Sequence, residues 1–200
     1  MAVQSGVYKG VSAAERTAER RRRLLDATLA VWADPDTRTT MTAVCAEAGL
    51  TERYFYESFT GLDDALTAVL ESVATEIETV TLAAADAAGP DPAARIHASV
   101  AAFMDLLVAD PRKGRVAIVE AGSIAGLRGR RTQLLRHFAH LAAEEAHETH
   151  GERRREDELA GLLFIGGMAE VVTAWLDGAL DATPEEVVET ASRGFLGLYA

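Results

Sequence analysis

Residues 40–66 constrain the fold more than any other stretch, because they contain two short helical patterns separated by a tight turn. Gly49 suits the left-handed backbone that commonly ends a helix. Thr51 stands two residues later, where its hydroxyl would accept a hydrogen bond from the first turn of a second helix, and Glu52 adds a negative charge to that turn. The sequence therefore predicts a helix, a sharp turn at Gly49 and a second helix that starts near Glu52.

Apolar residues in this stretch recur at helical spacing on both sides of the turn. They predict a small core between the two helices, formed by Met41, Val44, Cys45, Ala48, Leu50, Phe55, Phe59 and Leu62. The remaining face of the second helix carries Arg53, Tyr54 and Tyr56. This face is polar and aromatic, and it is available to a groove of double-stranded DNA.

In these features residues 40–66 resemble the helix-turn-helix of the TetR family of transcriptional regulators, including the Ala-Gly-Leu-Thr turn and the Phe-Tyr-x-x-Phe pattern. The resemblance implies that Tyr56 contacts a backbone phosphate, whereas Phe55 and Phe59 belong to the core. It further implies that other residues of the motif approach bases or phosphates. These candidate DNA-binding residues are Thr40, Thr51, Arg53 and Tyr54.

The chain departs from the family pattern at two places. Leu62, which two aspartates follow, stands where the family usually has a phosphate-binding Lys near the start of the next helix. Glu57 and Ser58 occupy positions that are often basic or His in the family. These departures predict weaker and more salt-sensitive phosphate binding. The backbone amides of Thr60 and Gly61 are the expected substitute, since a helix N-terminus binds phosphate without a cation.

The distribution of charge reconciles a net charge of −11 with a nucleic-acid partner. Residues 1–60 hold eight basic and eight acidic residues, whereas residues 61–200 hold 12 and 23. Six of the basic residues lie between Lys9 and Arg23. A charge run is usually a solvated helix face. Upstream of a helix-turn-helix it also suits a basic arm on phosphates or in the minor groove, with Arg20 and Arg23 as candidate contacts.

The rest of the sequence reads as helices that Pro and Gly separate, and no stretch alternates for long with the period of a β-strand. The predicted class is all-α, with about nine helices. Thr60 is predicted to cap the fourth helix with Asp63, Asp91 and Thr183 to cap two later helices, and the helix that begins near Glu156 to run to Leu180. Residues 12–60 are predicted to form a three-helix DNA-binding domain, and residues 61–200 a larger helical domain for ligand binding and dimerisation. The single Cys45, the lack of a signal-peptide pattern and the lack of a long apolar run lead us to expect a cytoplasmic protein without a membrane partner.

The last two predicted helices are too apolar to be free surfaces. A helix that is apolar nearly all round has to be covered on more than one side, either inside a domain or by a second subunit. The family resemblance implies a four-helix interface with two helices from each subunit, and hence a homodimer on a palindromic operator. The predicted interface residues are Leu162, Ile165, Val172, Trp175, Leu176 and Phe195.

The resemblance also implies that the middle helices enclose a pocket whose ligand changes the spacing of the two DNA-binding domains. The predicted apolar lining consists of Phe103, Met104, Leu107, Val119, Phe164 and Met168. The predicted polar contacts to an unidentified small-molecule effector are Glu120, Ser123 and Glu170. An apolar cavity with a few polar groups is the usual small-molecule site. Ordinary core packing is nevertheless the simpler interpretation of any one of these residues.

One further pattern has the spacing of metal ligands. His137, His140, Glu144 and His147 fall on one side of a predicted helix at steps of three and four. Such groups can bind Zn or Ni. Apolar residues occupy the other side of this helix, so the histidines are expected to face water, where ligands without supporting partners seldom bind metal tightly. We therefore expect no metal and no cofactor.

Among function classes, an enzyme has little support in the sequence. The chain lacks a glycine-rich phosphate loop, a nucleophile elbow and a set of Cys or His at catalytic spacing. The function that the resemblance implies is a ligand-responsive, sequence-specific DNA-binding regulator, in the simplest case a repressor that a small molecule releases from its operator. The alternative is a helical small-molecule-binding protein with weakened or lost DNA affinity, which Leu62, Glu57 and the acidic second part favour.

Overall fold

The computed structural model describes residues 12–150 and 156–199, and all regular secondary structure in this part of the chain is helical. The predicted all-α class is confirmed. A π-helical turn (Arg115–Val119) and a short 3-10 turn (Glu120–Gly122) follow the sixth helix. The described residues form nine α-helices: α1 (Ala13–Ala33), α2 (Met41–Ala48), α3 (Glu52–Ser58), α4 (Leu62–Ala87), α5 (Pro92–Ala109), α6 (Pro111–Gly114), α7 (Arg128–His150), α8 (Asp157–Leu176) and α9 (Pro184–Leu198).

The helices divide into two compact units, and the division lies inside α4. The first unit ends at Val69 and the second begins at Leu70, whereas the sequence placed the boundary after Thr60. The start of α4 belongs with the first unit because Ala65 is buried in its core and Leu62 packs against that core. About two turns of α4 therefore complete the first unit.

In the first unit, local signals in the sequence set the helix ends. Ser12 and Glu15 form a reciprocal capping box at the start of α1. Gly49 has a left-handed backbone with φ 61° and ends α2, as predicted. Thr51 precedes α3, but its side chain makes no capping hydrogen bond. The predicted capping role of the Thr51 hydroxyl is therefore wrong, and the Thr51 side chain is exposed.

Leu24, Val44 and Phe55 are fully buried at the centre of the first unit. Cys45 lies beside them, and burial raises the pKa of its thiol. A higher pKa leaves less of the reactive thiolate at neutral pH, which fits a cysteine that serves as a small apolar core residue.

In the second unit α5 packs against α9, and α7 packs against α8. The predicted helix starts are confirmed, since the Asp91 carboxylate accepts from the Ala94 amide, and Thr183 forms a capping box with Glu186. α8 ends at Leu176, four residues before the predicted end. The cause is Gly178, just after the helix, whose left-handed φ of 69° is the conformation that commonly ends a helix.

Helices α7 and α8 approach closely at Gly161. A Cβ at this position would overlap the backbone carbonyl of Ala139 and crowd the Tyr199 hydroxyl. That hydroxyl donates a hydrogen bond of 3.1 Å to the Asp157 carbonyl, and burial raises the pKa of Tyr199 to about 12. Only a glycine fits this contact without moving one of the two helices.

We expect Gly161→Ala to lower the free energy of unfolding by about 1–3 kcal/mol, because the added Cβ has to push α8 away from α7. Thermal unfolding followed by circular dichroism measures the effect. The control is Gly129→Ala in α7, where no atom lies within 4 Å of the added Cβ. The control should unfold at the temperature of the parent protein or slightly above it, because Ala favours a helix. Equal losses in both variants would show that the contact at Gly161 is unimportant.

Candidate DNA-binding surface and ligand cavity

Helices α2 and α3 place a small group of exposed side chains on one surface of the first unit. The Thr40 hydroxyl accepts from the Ala43 amide at 3.1 Å and so fixes the start of α2. On α3, the Arg53 side chain is 85% exposed and Tyr56 is 59% exposed. Thr51 is also exposed and its hydroxyl makes no capping bond. These exposed side chains can contact bases and phosphates in a groove of DNA.

Tyr54 differs from its neighbours because another side chain covers it. The Arg20 guanidinium lies 4.6 Å from the centre of the Tyr54 ring, in the geometry of a cation–π contact. Tyr54 is half-buried as a result. Its ring therefore supports Arg20 as well as forming part of the candidate surface.

Glu57 pairs with two of the predicted DNA-binding cations. Its Oε1 lies 3.2 Å from Nε of Arg53, and its Oε2 lies 3.7 Å from Nη2 of Arg20. A DNA phosphate that binds either arginine therefore has to compete with this carboxylate. The structure thus gives a physical reason why the acidic residue at this position opposes phosphate binding.

The arginine run in α1 has a structural role that the sequence analysis missed. Nη1 of Arg21 donates to the carbonyl of Ser58 at 2.7 Å, at the end of α3. Nη2 of Arg23 donates to the carbonyl of Ala48, at the end of α2. A cation is favourable at a helix C-terminus, where carbonyls lack partners and the helix dipole is negative. Arg21 and Arg23 of α1 thus bind the C-terminal carbonyls of α3 and α2, respectively.

The predicted DNA contact of Arg23 is therefore corrected, because its guanidinium donates to the Ala48 carbonyl and is not simply available to phosphate. Arg22, in contrast, is exposed and pairs with Glu19 one turn earlier. Lys9, which the sequence analysis counted in the basic arm, lies outside the described residues. The basic run thus combines helix-binding and solvent-exposed arginines.

We expect Arg23→Ala to destabilise the first unit by about 1 kcal/mol, because it removes a charged donor from the end of α2. Arg22→Ala removes the same charge from an exposed position and should change the unfolding temperature little. Thermal unfolding of the two variants side by side measures the difference. A loss of stability in Arg22→Ala as large as that in Arg23→Ala would mean that total charge matters and that the bond to Ala48 does not.

The predicted phosphate site at the start of α4 is also corrected. The Asp64 carboxylate accepts hydrogen bonds from the Thr60 amide at 2.8 Å and from the Thr60 hydroxyl at 3.1 Å. The Thr60 amide is therefore occupied by a group that is itself negative. Gly61 contributes its carbonyl, which accepts from the Ala65 amide in the first helical turn. Asp64 thus occupies the Thr60 half of the predicted substitute for the missing Lys, whereas phosphate binding by the Gly61 amide stays a prediction.

The second unit contains a cavity of about 210 Å³. Helices α4, α5, α7, α8 and α9 line it, together with the π-helical turn. Its walls are mainly apolar, with Leu70, Ile77, Phe103, Leu134, Phe164 and Phe195 among the larger side chains. The cavity is somewhat smaller than the roughly 300–1,000 Å³ typical of sites for drug-sized molecules, and it suits a compact apolar ligand.

Three predicted lining residues, Phe103, Phe164 and Met168, line the cavity. The others lie elsewhere. Met104 and Leu107 are buried in the core around α5, because they face away from the cavity. Val119 is half-buried outside the lining, and Glu120 pairs with Arg115 at 3.9 Å. The remaining two, Ser123 and Glu170, are exposed.

The contribution of α7 to the cavity was not predicted from the sequence. The apolar side of this helix lines it with Leu134, Leu135, Phe138, Leu141 and Ala142. The signal was present, since these residues recur at helical spacing opposite the histidines. The missed polar lining residues include Ser99, Arg131 and Glu145.

The histidines of α7 each have a separate environment. Nε2 of His137 lies 2.9 Å from Oε2 of Glu78, and Nδ1 of His140 lies 4.0 Å from Oε1 of Glu158. His147 is half-buried, so the histidines do not all face water as the spacing suggested. Within residues 12–150 and 156–199, no group of three or more His, Cys, Asp or Glu side chains suits a metal ion.

The predicted dimer residues separate into inner and outer positions. Val172 and Phe195 are buried within the single chain, because they face the core of the second unit. They are therefore unable to contact a partner directly, and their prediction is wrong. Ile165 lines the cavity, while Trp175 and Leu176 pack against the core. Leu162 is exposed.

An exposed apolar surface does exist on α8, and it includes Leu162. We name it the α8 outer face; it consists of Leu159, Leu162, Leu163, Gly166 and Gly167. Leu159 and Leu163 are 61% and 59% exposed, and no atom lies within 4 Å of a Cβ built at either glycine. Side chains of this kind are unusual as a continuous exposed surface and typically mark a binding face.

No protein-family model and no curated protein matches the sequence. Solved structures do match it over most of its length. A putative TetR-family transcriptional regulator from Syntrophomonas wolfei has a TM-score of 0.77 at 16% identity and covers 91% of this chain and 95% of its own. A TetR-family transcriptional regulator from Streptomyces coelicolor has a TM-score of 0.70 at 23% identity, with 94% and 92% covered.

The transcriptional regulator FadR from Bacillus subtilis, solved in complex with stearoyl-CoA, has a TM-score of 0.71 at 18% identity. The match covers 90% of this chain and 97% of that protein. At these identities the likeness establishes the fold. The chain has the fold of TetR-like regulators, as its helix-turn-helix predicted.

Proposed function

We propose that this chain is a homodimeric, ligand-responsive transcriptional regulator that binds a palindromic operator in double-stranded DNA. In the simplest form it is a repressor that a small molecule releases from DNA. The observation that carries the proposal is an exposed reading face on α3, with Thr51, Arg53 and Tyr56, in a chain whose second unit contains an apolar cavity. Both features suit DNA and ligand binding, and we propose no enzymatic activity.

We propose different roles for the residues of the reading face, on the basis of their exposure and chemistry. Tyr56 projects a phenol that can donate to a phosphate, which positions the protein without reading sequence. Arg53 and Thr51 lie at the start of α3, the part of a recognition helix that contacts base edges in the major groove. An arginine there can read guanine through two hydrogen bonds once it separates from Glu57.

The α8 outer face is the proposed dimer interface. Two helices, Pro92–Ala109 and Asp157–Leu176, are long and apolar enough to cross a membrane, a test that a buried helix of a globular protein also meets. α5 meets it because Ile96, Val100, Met104 and Leu107 are core. For α8, whose outer leucines are exposed, a second copy of the chain supplies the missing cover. We accordingly propose a cytoplasmic homodimer.

α4 is the element through which ligand binding would reach the DNA-binding unit. Its residues Leu70, Ala74 and Ile77 line the cavity, and its first two turns belong to the first unit. A ligand that binds one position of α4 more tightly than another shifts the population toward the first. By reciprocity, operator DNA then weakens ligand binding by the same factor.

The solved structures with this fold support an apolar ligand. FadR from Bacillus subtilis was solved with stearoyl-CoA, and FadR from Bacillus halodurans is described as a fatty acid degradation regulator. In this chain the cavity is mainly apolar and therefore suits an apolar ligand. We propose a compact apolar molecule as the effector.

Fluorescence anisotropy tests the proposed function with the purified full-length chain and labelled DNA from upstream of its own gene. We expect binding that random DNA of equal length does not compete away, and an affinity that falls steeply with added salt as counterions are released. Affinity for this fragment no greater than for random DNA at every salt concentration would contradict it. Absence of binding even at low salt would favour the alternative, a small-molecule-binding protein in which Glu57 and Leu62 have abolished DNA affinity.

A further inference from the structure

We propose that the ligand of the cavity carries a carboxylate on a compact apolar body, and that Arg131 binds this carboxylate. The inference rests on the proposed function only in taking the cavity as the effector site. It adds the chemical class of the ligand and the residue that recognises it.

Arg131 lies in the first turn of α7 and is the one arginine among the described residues that line the cavity. Its Nη2 donates to the carbonyl of Ile118 at 3.3 Å, which holds the guanidinium beside the π-helical turn. Its Nε is buried and has no hydrogen-bond partner. A buried donor of a charged group is costly to leave unpaired, so the guanidinium gains from any acceptor that comes within its reach.

Arg131 also lacks a countercharge. Within the described part of the chain, no carboxylate lies within 4 Å of its guanidinium. The acidic residue that lines the cavity, Glu145, is already neutralised, because both of its oxygens accept from Nε and Nη2 of Arg95. The cavity therefore carries one unbalanced positive charge.

A carboxylate is the complementary group by charge and shape. Guanidinium binds it through parallel hydrogen bonds, which are stronger than those between neutral groups. The charge is placed among apolar walls such as Leu134 and Phe138, where screening by water is reduced. The site thus combines a pairing point for an anion with an apolar space for the rest of the ligand, as in a short or medium-chain fatty acid.

The same observations disfavour a positively charged or neutral ligand. A cationic ligand would meet the charge of Arg131 at close range, with Glu145 already paired. A neutral alcohol could fill the apolar space but would leave the charge of Arg131 uncompensated. Comparison of ligands that differ only in this end group therefore isolates the contribution of Arg131.

Isothermal titration calorimetry of the full-length chain tests the inference without DNA. The probes are the even-chain carboxylates from hexanoate to palmitate, below their aggregation limits, and the alcohol of equal length. We expect at least one carboxylate to bind about tenfold or more tightly than its alcohol, equivalent to about 1.4 kcal/mol. Arg131→Gln should remove this preference while leaving the affinity for the alcohol within about twofold. Arg131→Lys should restore part of it.

The matched control is Arg136→Gln, which removes an exposed charge from the same helix and should keep the preference for carboxylate. Acyl-CoA thioesters form a separate arm, since their apolar chain ends in a neutral carbonyl and their charges are phosphates. Binding of thioester but of no free carboxylate would overturn the inference, as would equal affinities for acid and alcohol or failure of the whole series. The calorimetry contains no DNA, so its result is independent of the DNA-binding test. A chain that binds carboxylate but no operator would contradict the proposed regulatory function and still support this inference.

Discussion

Replacement of Leu162 and Leu163 by Glu is expected to convert the proposed dimer to monomers and to lower affinity for the proposed palindromic operator by more than about a hundredfold. Both leucines lie on the α8 outer face and are exposed in the single chain. Burial of each leucine against a partner would contribute about 1.5–3 kcal/mol, and a glutamate there would instead bring a charge into an apolar interface. Two linked reading helices bind a palindrome far more tightly than one.

Sedimentation velocity measures the association state of this double variant, and anisotropy measures its DNA affinity. The control is Val108→Glu, which places one charge at another exposed apolar position, on α5. The control should remain dimeric and bind DNA like the parent chain. A double variant that stays dimeric would show that the α8 outer face is not the interface, and a monomer with parental DNA affinity would refute the need for two reading helices.

Glu57→Gln is expected to raise the affinity for DNA by about tenfold at low salt. The carboxylate pairs with Arg20 and Arg53, so its removal makes both cations available to phosphates and also deletes a charge that repels them. Each added phosphate contact steepens the dependence on salt, and the slope of log K against log salt should grow by roughly one to two. The gain should appear on specific and random DNA alike, because phosphate contacts do not read sequence.

Glu52→Gln is the matched control for this prediction. It removes the same charge from the same short helix, but Glu52 is exposed at the first turn and pairs with neither arginine. We expect a clearly smaller gain and no change of slope. Equal gains in the two variants would attribute the effect to net charge alone, whereas a loss of affinity in Glu57→Gln would mean that Glu57 holds the arginines in their DNA-binding positions.

The local signals in the sequence predicted the helices well. Gly49 ends α2, Asp91 caps α5 and Thr183 caps α9, since each acts through its own neighbours. The end of α8 was missed by four residues because the helical pattern continues past Leu176, and only the left-handed backbone at Gly178 shows where it stops.

Side-chain roles that depend on distant contacts were less predictable. The bond from Arg23 to Ala48 joins residues far apart in sequence, and no local pattern separates it from a DNA contact. The capture of the Thr60 amide by Asp64 had a weak signal in the acidic residues after Leu62, but its partner was predicted as Asp63. For the cavity, helical spacing identified apolar residues without showing that Met104 faces the core while Phe103 faces the cavity.

Selection of bound sequences from a random DNA library by the purified full-length chain tests the central proposal most directly. We expect enrichment of a palindrome whose two half-sites have fixed spacing, with centres one helical turn of roughly 34 Å or a multiple of it apart. Titration of the best site against salt should then show a steep loss of affinity. Failure to enrich any sequence at low salt would contradict the proposal that this helix-turn-helix reads DNA.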